Sequence, residues 1–286
     1  MKPSVAIIAP GNMGAAVGAC LVRHGLEVTT WLEGRSPASL ARAARAGLRG
    51  VDLAEAVSAD VLLSILPPGD AVALAERLAP RLAANGRKPL YVDCNAVSPA
   101  TVRRIAAILS EAGTSFVDAG IIGGPPREGD EGPTFYACGE RAQSFAALAG
   151  HGLTVKLLDA PVGAASALKM SYAGITKGLS GLACAMLLAA SREGAAAALK
   201  AELGDSQPAL LARFAKTLPD AYPKAYRWVA EMQEIAEFLG GDEAAAAMFQ
   251  GLARLFERLA ADFAGDKAET GALDAFLEGK PVSAAA

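Results

Sequence analysis

Val5-Ala6-Ile7-Ile8-Ala9-Pro10-Gly11-Asn12-Met13-Gly14 is the stretch that decides how this chain is read. Its first five residues form a continuous apolar run of strand length, and a turn built on Pro10, Gly11 and Gly14 follows at once. An Ala-rich stretch of helical composition continues to about His24. Strand, tight glycine turn and helix in that order aim backbone N–H groups and a helix N-terminus at one point, which suits a pyrophosphate. Gly11 and Gly14 keep the spacing of the second and third glycines of a G-x-G-x-x-G fingerprint. Those two serve close approach to the pyrophosphate and close helix–strand packing. Ala9 stands where the first glycine would be. Taken alone, G-x-x-G after an apolar run also fits an ordinary strand-to-helix turn, so the surrounding pattern decides.

That pattern alternates. Short apolar or β-branched runs at 5–9, 27–32, 60–66, 90–94, 115–119, 134–138 and 154–158 read as strands. Helical runs at 12–24, 37–46, 70–84, 99–112 and 141–149 fall between most of them. Such alternation predicts an α/β, Rossmann-type N-terminal domain with a mostly parallel sheet, over residues 1–161. In that setting the Gly11–Gly14 turn reads as a dinucleotide site, with Pro10, Gly11, Asn12, Met13 and Gly14 as cofactor-binding candidates. After Pro161 strand signals stop. Residues 162–286 read as an all-α C-terminal domain, and the proline-free stretch 163 to about 198 can form one long helix joining it to the first. Pro208, Pro219 and Pro223 punctuate the next part, and helical runs follow at 224–239 and 242–264. The tail 280–286 is expected to fray.

Composition narrows the function. The 286 residues are 52% hydrophobic and 20% charged, enough to bury a large core in one or two domains. The net charge of −3 is small, and Arg42, Arg45 and Arg49 read as a solvated face rather than a nucleic-acid surface. The four cysteines, Cys20, Cys94, Cys138 and Cys184, are widely spaced in apolar runs and there are two histidines. This pattern suggests neither a metal site nor a disulfide framework, and it fits a reducing cytoplasm. The apolar run 178–191 has fourteen residues, short of the roughly 20 needed to span a bilayer. No membrane partner is expected.

Several strand ends carry candidates. Trp31-Leu32-Glu33-Gly34-Arg35-Ser36 lies where ribose identity is read. An acid there favours the 2′-hydroxyl of NAD, and an arginine accommodates the 2′-phosphate of NADP. Glu33 and Arg35 thus point opposite ways. Arg35-Ser36, next to Pro37 at a helix start, forms a phosphate pocket in sequence, so the reading leans to NADP with NAD open. Leu66-Pro67-Pro68 ends another strand in a stiff turn that would flank the cofactor or simply stop the strand. Ser98-Pro99 has the N-cap and N1 pattern of a helix start, which by itself explains Ser98. Asn95, a polar amide at a strand end, is placed to meet a nicotinamide or substrate. Ile122-Gly123-Gly124 permits close backbone approach to a ligand, or a plain hairpin turn.

Lys169 is the candidate catalytic residue. Ser166, Lys169, Tyr172, Thr176 and Ser180 fall at spacings of 3, 3, 4 and 4 along an otherwise apolar helix, one polar face that either meets water or lines a cleft. A lysine buried beside a nicotinamide would be suited to exchange a proton with a hydroxyl or carbonyl. Arg227 would pair with a substrate carboxylate or, more simply, with Glu231 one helical turn on.

Together these segments resemble the β-hydroxyacid dehydrogenase superfamily, relatives of 6-phosphogluconate and 3-hydroxyisobutyrate dehydrogenases. Ala9 to Gly14 resembles its G-x-G-x-M-G fingerprint, and Asp93 to Pro99 its D-x-S-T-x-x-P turn. Asp118 to Gly124 resembles its D-A-P-V-S-G-G loop, followed by a G-T-L-like strand at Gly132 to Phe135. Gly163 through Lys169 to Ala173 resembles its G-x-x-x-x-x-K-x-x-x-N segment. Arg227 to Met232 resembles a recurring segment in a subgroup whose C-terminal domain has no assigned function. The resemblance implies a dehydrogenase acting on a small hydroxy acid or related carbonyl compound, with Lys169 as general acid/base. It also implies Ser98, Ile122, Gly123, Gly124, Tyr172 and Arg227 on the substrate side, and a homodimer formed through the helical domain. Ile122 and Ala173 replace the family's Ser and Asn, both on that side. An imine reductase of the same superfamily and a cofactor-binding protein without turnover are the alternatives. The former generally lack the lysine, so Lys169 favours the dehydrogenase.

Overall fold

The apolar run at Val5 forms the centre of the sheet because every one of its side chains is buried. In the computed structural model, which describes residues 2–127, 129 and 132–280, strand β1 (Val5–Ile8) leads into helix α1 (Asn12–Arg23). The chain continues through β2 (Val28–Trp31), α2 (Pro37–Arg45), β3 (Arg49–Val51), α3 (Leu53–Ala56), β4 (Val61–Ser64) and α4 (Ala71–Ala84). Next come β5 (Leu90–Asp93), α5 (Pro99–Glu111), β6 (Ser115–Ile122), β7 (Thr134–Cys138), α6 (Ala142–Ala146) and β8 (Thr154–Leu157).

The eight strands form one sheet in the order β3-β2-β1-β4-β5-β6-β7-β8. Pairing is parallel except between β6 and β7. The chain runs outward one way from β1 to β3, returns, and runs the other way from β4. The reversal opens a crevice at the carboxyl ends of β1 and β4, where such sheets bind ligands. Both faces are covered, which is why the strands read as continuous apolar runs. One face packs Val17, Leu21 and Phe145 of α1 and α6. The other packs Leu78 and Leu82 of α4 with Val102 and Ile105 of α5. All four cysteines are buried and unpaired. The sequence pattern omits β3 and α3. Arg49-Gly50-Val51 is a short edge strand whose residues are largely exposed, so it lacks an apolar period.

Helix α7 (Ala164–Arg192) is followed by α8 (Ala196–Ser206), α9 (Pro208–Ala221), α10 (Ala225–Phe238), α11 (Glu243–Ala264) and α12 (Ala268–Glu278). The chain divides into two compact units, Met1–Met170 and Ser171–Ala286. The long helix stops short of the expected residue 198. Gly194 adopts φ +73, a left-handed conformation that ends a helix and lets α8 start afresh. Within the second unit, Gly174, Gly178 and Gly181 of α7 face Phe249, Leu252 and Phe256 of α11. A Cβ at Gly181 would lie 2.5 Å from Leu252 Cδ2, so the small residue sets the helix–helix distance.

By length and composition α7 could cross a membrane, with mean hydropathy 1.5 over its best window and 44% of that window buried inside the protein. The fourteen-residue apolar run 178–191 lies within this longer helix. The helix takes in flanking Ala, Gly and Ser residues that the apolar run alone does not count. Of the expected frayed tail, only Lys280 lies among the described residues.

Candidate active site

The glycine turn follows from packing at its two ends. A Cβ at Gly14 would sit 2.2 Å from the Ala9 carbonyl oxygen, so only glycine lets α1 approach β1 this closely. Gly11, by contrast, has open space where its Cβ would be. Gly11 is also the N-cap of α1 and brings no side chain to cap it, so the leading amides of the helix are available to an anion. Pro10 is buried, Asn12 is exposed and Met13 packs against the core. The residues therefore fit a dinucleotide pyrophosphate.

At the end of β2, Ser36 caps α2 by accepting from the Ser39 N–H at 3.3 Å. Trp31 is buried, and its Nε1 donates to Glu33 Oε2 at 3.2 Å. Arg77 of α4 lies over the Trp31 ring at 4.3 Å and 3.9 Å from Glu33 Oε2. Arg35 is 5.7 Å from the same ring, and its Nε is buried with no acceptor among the described residues. Arg42 donates to the Pro10 carbonyl at 3.2 Å and to Ser39 Oγ at 2.9 Å. Arg42 is thus not part of a solvated face; it ties α2 to the glycine turn. Sequence reasoning missed Ser39, Arg42 and Arg77. The first two follow Arg35 at helical spacing, a signal that was present. Arg77 is distant in sequence and carried none.

Asn95 is buried, and both of its amide hydrogens are already engaged. Nδ2 donates to Ser64 Oγ and Asp93 Oδ2, each at 2.9 Å, and Oδ1 accepts from the Leu66 N–H at 2.6 Å. Its side chain holds the Leu66-Pro67-Pro68 loop against β5. Ser98 is likewise used locally. It caps α5 by accepting from the Thr101 N–H at 3.1 Å. Gly123 and Gly124 begin the connection of the antiparallel β6–β7 pair, with Gly123 at φ +125. Ile122 ends β6, partly exposed.

The start of α7 is locked to β6 by one carboxylate. Asp118 is buried, and its Oδ2 accepts from the Gly163 and Ser166 N–H groups at 2.8 and 3.2 Å. Ser166 Oγ donates to Oδ1 at 2.8 Å, and Cys138 Sγ to Oδ2 at 3.3 Å. A carboxylate at a helix N-terminus satisfies orphan amides and complements the helix dipole. Burial first, then the Asp118 charge, pushes the Cys138 thiol up to about 11. Two residues along β6, a Cβ on Gly120 would lie 2.7 Å from the Ala165 carbonyl oxygen and 3.1 Å from Lys169 Cβ. Gly120 therefore lets α7 pack closely on β6 at Ala165 and Lys169, and Lys169 is partly buried there.

The expected polar stripe does not persist as one open face. Ser166 is buried on Asp118, and the Thr176 and Ser180 hydroxyls donate back to the Tyr172 and Thr176 carbonyls. Tyr172 is half exposed. Ala173, in place of the family's Asn, is buried. The Arg227–Glu231 pair expected from helical spacing is absent. Glu231 pairs with Lys177, whose ammonium also lies 5.0 Å from the Trp228 ring. Arg227 is exposed beside Tyr226.

Residues 4–150 match the NAD binding domain of 6-phosphogluconate dehydrogenase, and residues 190–259 match a domain of unknown function, DUF1932. The chain belongs to the β-hydroxyacid dehydrogenase superfamily. A 3-hydroxyisobutyrate dehydrogenase from Pseudomonas aeruginosa is 30% identical over 126 residues, 42% of this chain and 41% of that enzyme. The alignment thus spans less than half of this curated relative. MTH1747, a conserved protein of unknown function described as similar to 3-hydroxyacid dehydrogenases, has 29% identity and a TM-score of 0.68, covering 94% of this chain and 99% of its own. The Mycobacterium tuberculosis 3-hydroxyisobutyrate dehydrogenase studied with L-serine shares the superfamily fold at 21% identity and TM-score 0.73, covering 98% and 99%. Imine reductases from Myxococcus stipitatus, in complex with NAD+ and with NADP+, share the fold at 18% identity, with TM-scores of 0.60 and 0.56. The chain therefore carries an NAD(P)-binding domain of this superfamily, and oxidoreductase chemistry is the class its fold supports.

Proposed function

We propose that this protein is an NAD(P)-dependent dehydrogenase or reductase of a small hydroxy acid or related carbonyl compound, with Lys169 as general acid/base. The observation that carries this reading is the seat of Lys169, set against Gly120 of β6 on a helix whose first turn is fixed by Asp118. The amides at the start of α1 would hold the pyrophosphate, and Arg35 and Ser36 the adenosine ribose, with NADP preferred over NAD. The bound nicotinamide supplies a hydride acceptor or donor. Lys169 Nζ takes the hydroxyl proton in the oxidative direction and returns it in the reductive one. Ile122, Gly123, Gly124 and Tyr172 remain substrate-side candidates, and Asn95 acts through the loop it holds. Arg227 is a further substrate-side candidate, for a carboxylate.

Ile175, Leu182 and Met186 of α7 are 72%, 56% and 53% exposed, which supports pairing of the helical unit with a second copy. Four buried, unpaired thiols support a reducing cytoplasm.

The test compares wild type with Lys169→Ala on a panel of hydroxy acids and aldehydes, following reduced nicotinamide by absorbance. Loss of one general acid/base is expected to lower kcat by about 10²–10⁴-fold with cofactor affinity unchanged. Near wild-type kcat in the variant would overturn the assignment. Apolar Ile122 and Ala173 favour a second reading, reduction of a C=N bond. Turnover of cyclic imines but not of hydroxy acids would establish that reading instead.

A further inference from the structure

We infer that Arg77 and Trp31 set the cofactor preference of this chain, by holding the Glu33 carboxylate off the ribose site and leaving it to a 2′-phosphate. The inference rests on the dinucleotide reading above and adds a selectivity device to it. The sequence at the end of β2 is contradictory. An acid in this region accepts from a ribose 2′-hydroxyl and repels a phosphate, while an arginine does the reverse. Glu33 and Arg35 supply one of each.

The geometry separates them. Trp31 is buried in the core beneath α4, so its indole is a fixed platform. Glu33 turns back onto that platform, accepting from Trp31 Nε1 at 3.2 Å. Arg77, distant in sequence on α4, stacks on the same ring at 4.3 Å and brings its Nη2 to 3.9 Å from Glu33 Oε2. The carboxylate is thus met by one N–H donor and one cation. Arg35 is different. Its Nε is buried and has no acceptor among the described residues, a donor that a phosphate oxygen would satisfy. Arg42 and Ser39 complete a basic wall that reaches the glycine turn through the Pro10 carbonyl. With Arg77 matched to Glu33, Arg35 and Arg42 leave two positive charges near the end of β2, neither in an ion pair among the described residues. A phosphate monoester of charge near −2 would balance them.

Glu33 and Arg77 are both well exposed, so their coupling has the modest size of a surface pair. The effect should appear as a change in selectivity rather than as loss of binding.

The experiment is a fluorescence titration of the full chain with NADPH and with NADH. It uses wild type, Arg77→Met, Glu33→Gln and the double variant. Arg77→Met keeps an aliphatic stem over the indole and removes the charge. Wild type is expected to bind NADPH more tightly. Arg77→Met should cut the NADPH-to-NADH preference by about two- to fivefold, the scale of an exposed charge pair. Glu33→Gln should raise that preference, and in the Glu33→Gln background Arg77→Met should have little further effect. Tighter wild-type binding of NADH would overturn the inference. So would an Arg77→Met effect of equal size in both backgrounds, since Arg77 would then act on the ligand directly. Absence of binding of either dinucleotide to wild type would overturn the dinucleotide reading itself. Because both substituted residues are on the surface, matching melting temperatures across the four proteins confirm that binding and not folding is compared.

Discussion

Gly120 leaves no room for a side chain beneath Lys169: a methyl group on Gly120 would meet Lys169 Cβ at 3.1 Å and the Ala165 carbonyl oxygen at 2.7 Å. The second distance is to backbone, which has no rotamer by which to yield. Gly120→Ala should therefore force α7 away from β6. Overpacking of this kind costs about 1–3 kcal/mol, read as a lowered urea midpoint. The displacement should also lower any turnover that depends on Lys169. An unchanged midpoint would show that the two elements have slack.

Asp118 serves four donors at once, two of them the backbone amides of Gly163, just before α7, and Ser166, in its first turn. Asp118→Ala leaves those buried donors without an acceptor and should cost at least about 2 kcal/mol. Asp118→Asn keeps an acceptor oxygen but removes the charge that complements the helix start. Its cost should be nearer 1 kcal/mol. Equal losses in the two variants, measured by equilibrium denaturation, would mean that the charge and not the hydrogen bonding dominates.

Asp60 gives the protein a defined acid sensitivity. The Ser4 backbone N–H, at 2.9 Å, is the main influence holding its carboxyl below the usual range. The Ser4 hydroxyl and Arg87 add to it and together they outweigh burial, which acts the other way. A folded-state pKa lower than the unfolded value stabilises the fold above about pH 4. That contribution is lost as pH falls through the folded value. Asp60→Asn should flatten the acid limb of a plot of urea midpoint against pH and leave the neutral limb parallel to wild type.

Lys177 and Glu231 form an ion pair with side-chain exposures of only 20% and 15%. Removing one partner strands the other. Lys177→Met should cost about 2 kcal/mol, less than for a fully buried pair. Lys177→Met with Glu231→Leu should cost less than the sum of the single changes. Arg227→Ala should lie within about 0.5 kcal/mol of wild type, as an exposed residue does. Denaturation curves for the four proteins decide between this pairing and the Arg227–Glu231 pair that helical spacing suggests.

These cases show what could be read in the sequence. The Gly11–Gly14 turn and the alternating strands were legible because their signals are local: apolar period, turn chemistry and Ser-Pro caps. The seat of Lys169 was legible only as a spacing, since nothing in the sequence of β6 announces that Gly120 must accept a helix. The bonds of Asn95 to Ser64, Asp93 and Leu66 were not legible, because a polar amide at a strand end looks the same whether it faces a ligand or ties down a neighbouring loop. The partner of Glu231 was missed because Lys177 lies 54 residues away in the chain, beyond any local rule. Arg42 had the spacing to join Arg35 and Ser39, but a run of three arginines suggested solvent first.

Helix α1 begins on a residue with no side chain, while α2, α3 and α5 begin on Ser36, Asp52 and Ser98, each of which caps its own helix. An anion that docks at Gly11 therefore finishes a piece of secondary structure as well as occupying a site. Its binding is then linked to the folding equilibrium, and at a hundredfold excess over Kd it would add about 2.7 kcal/mol.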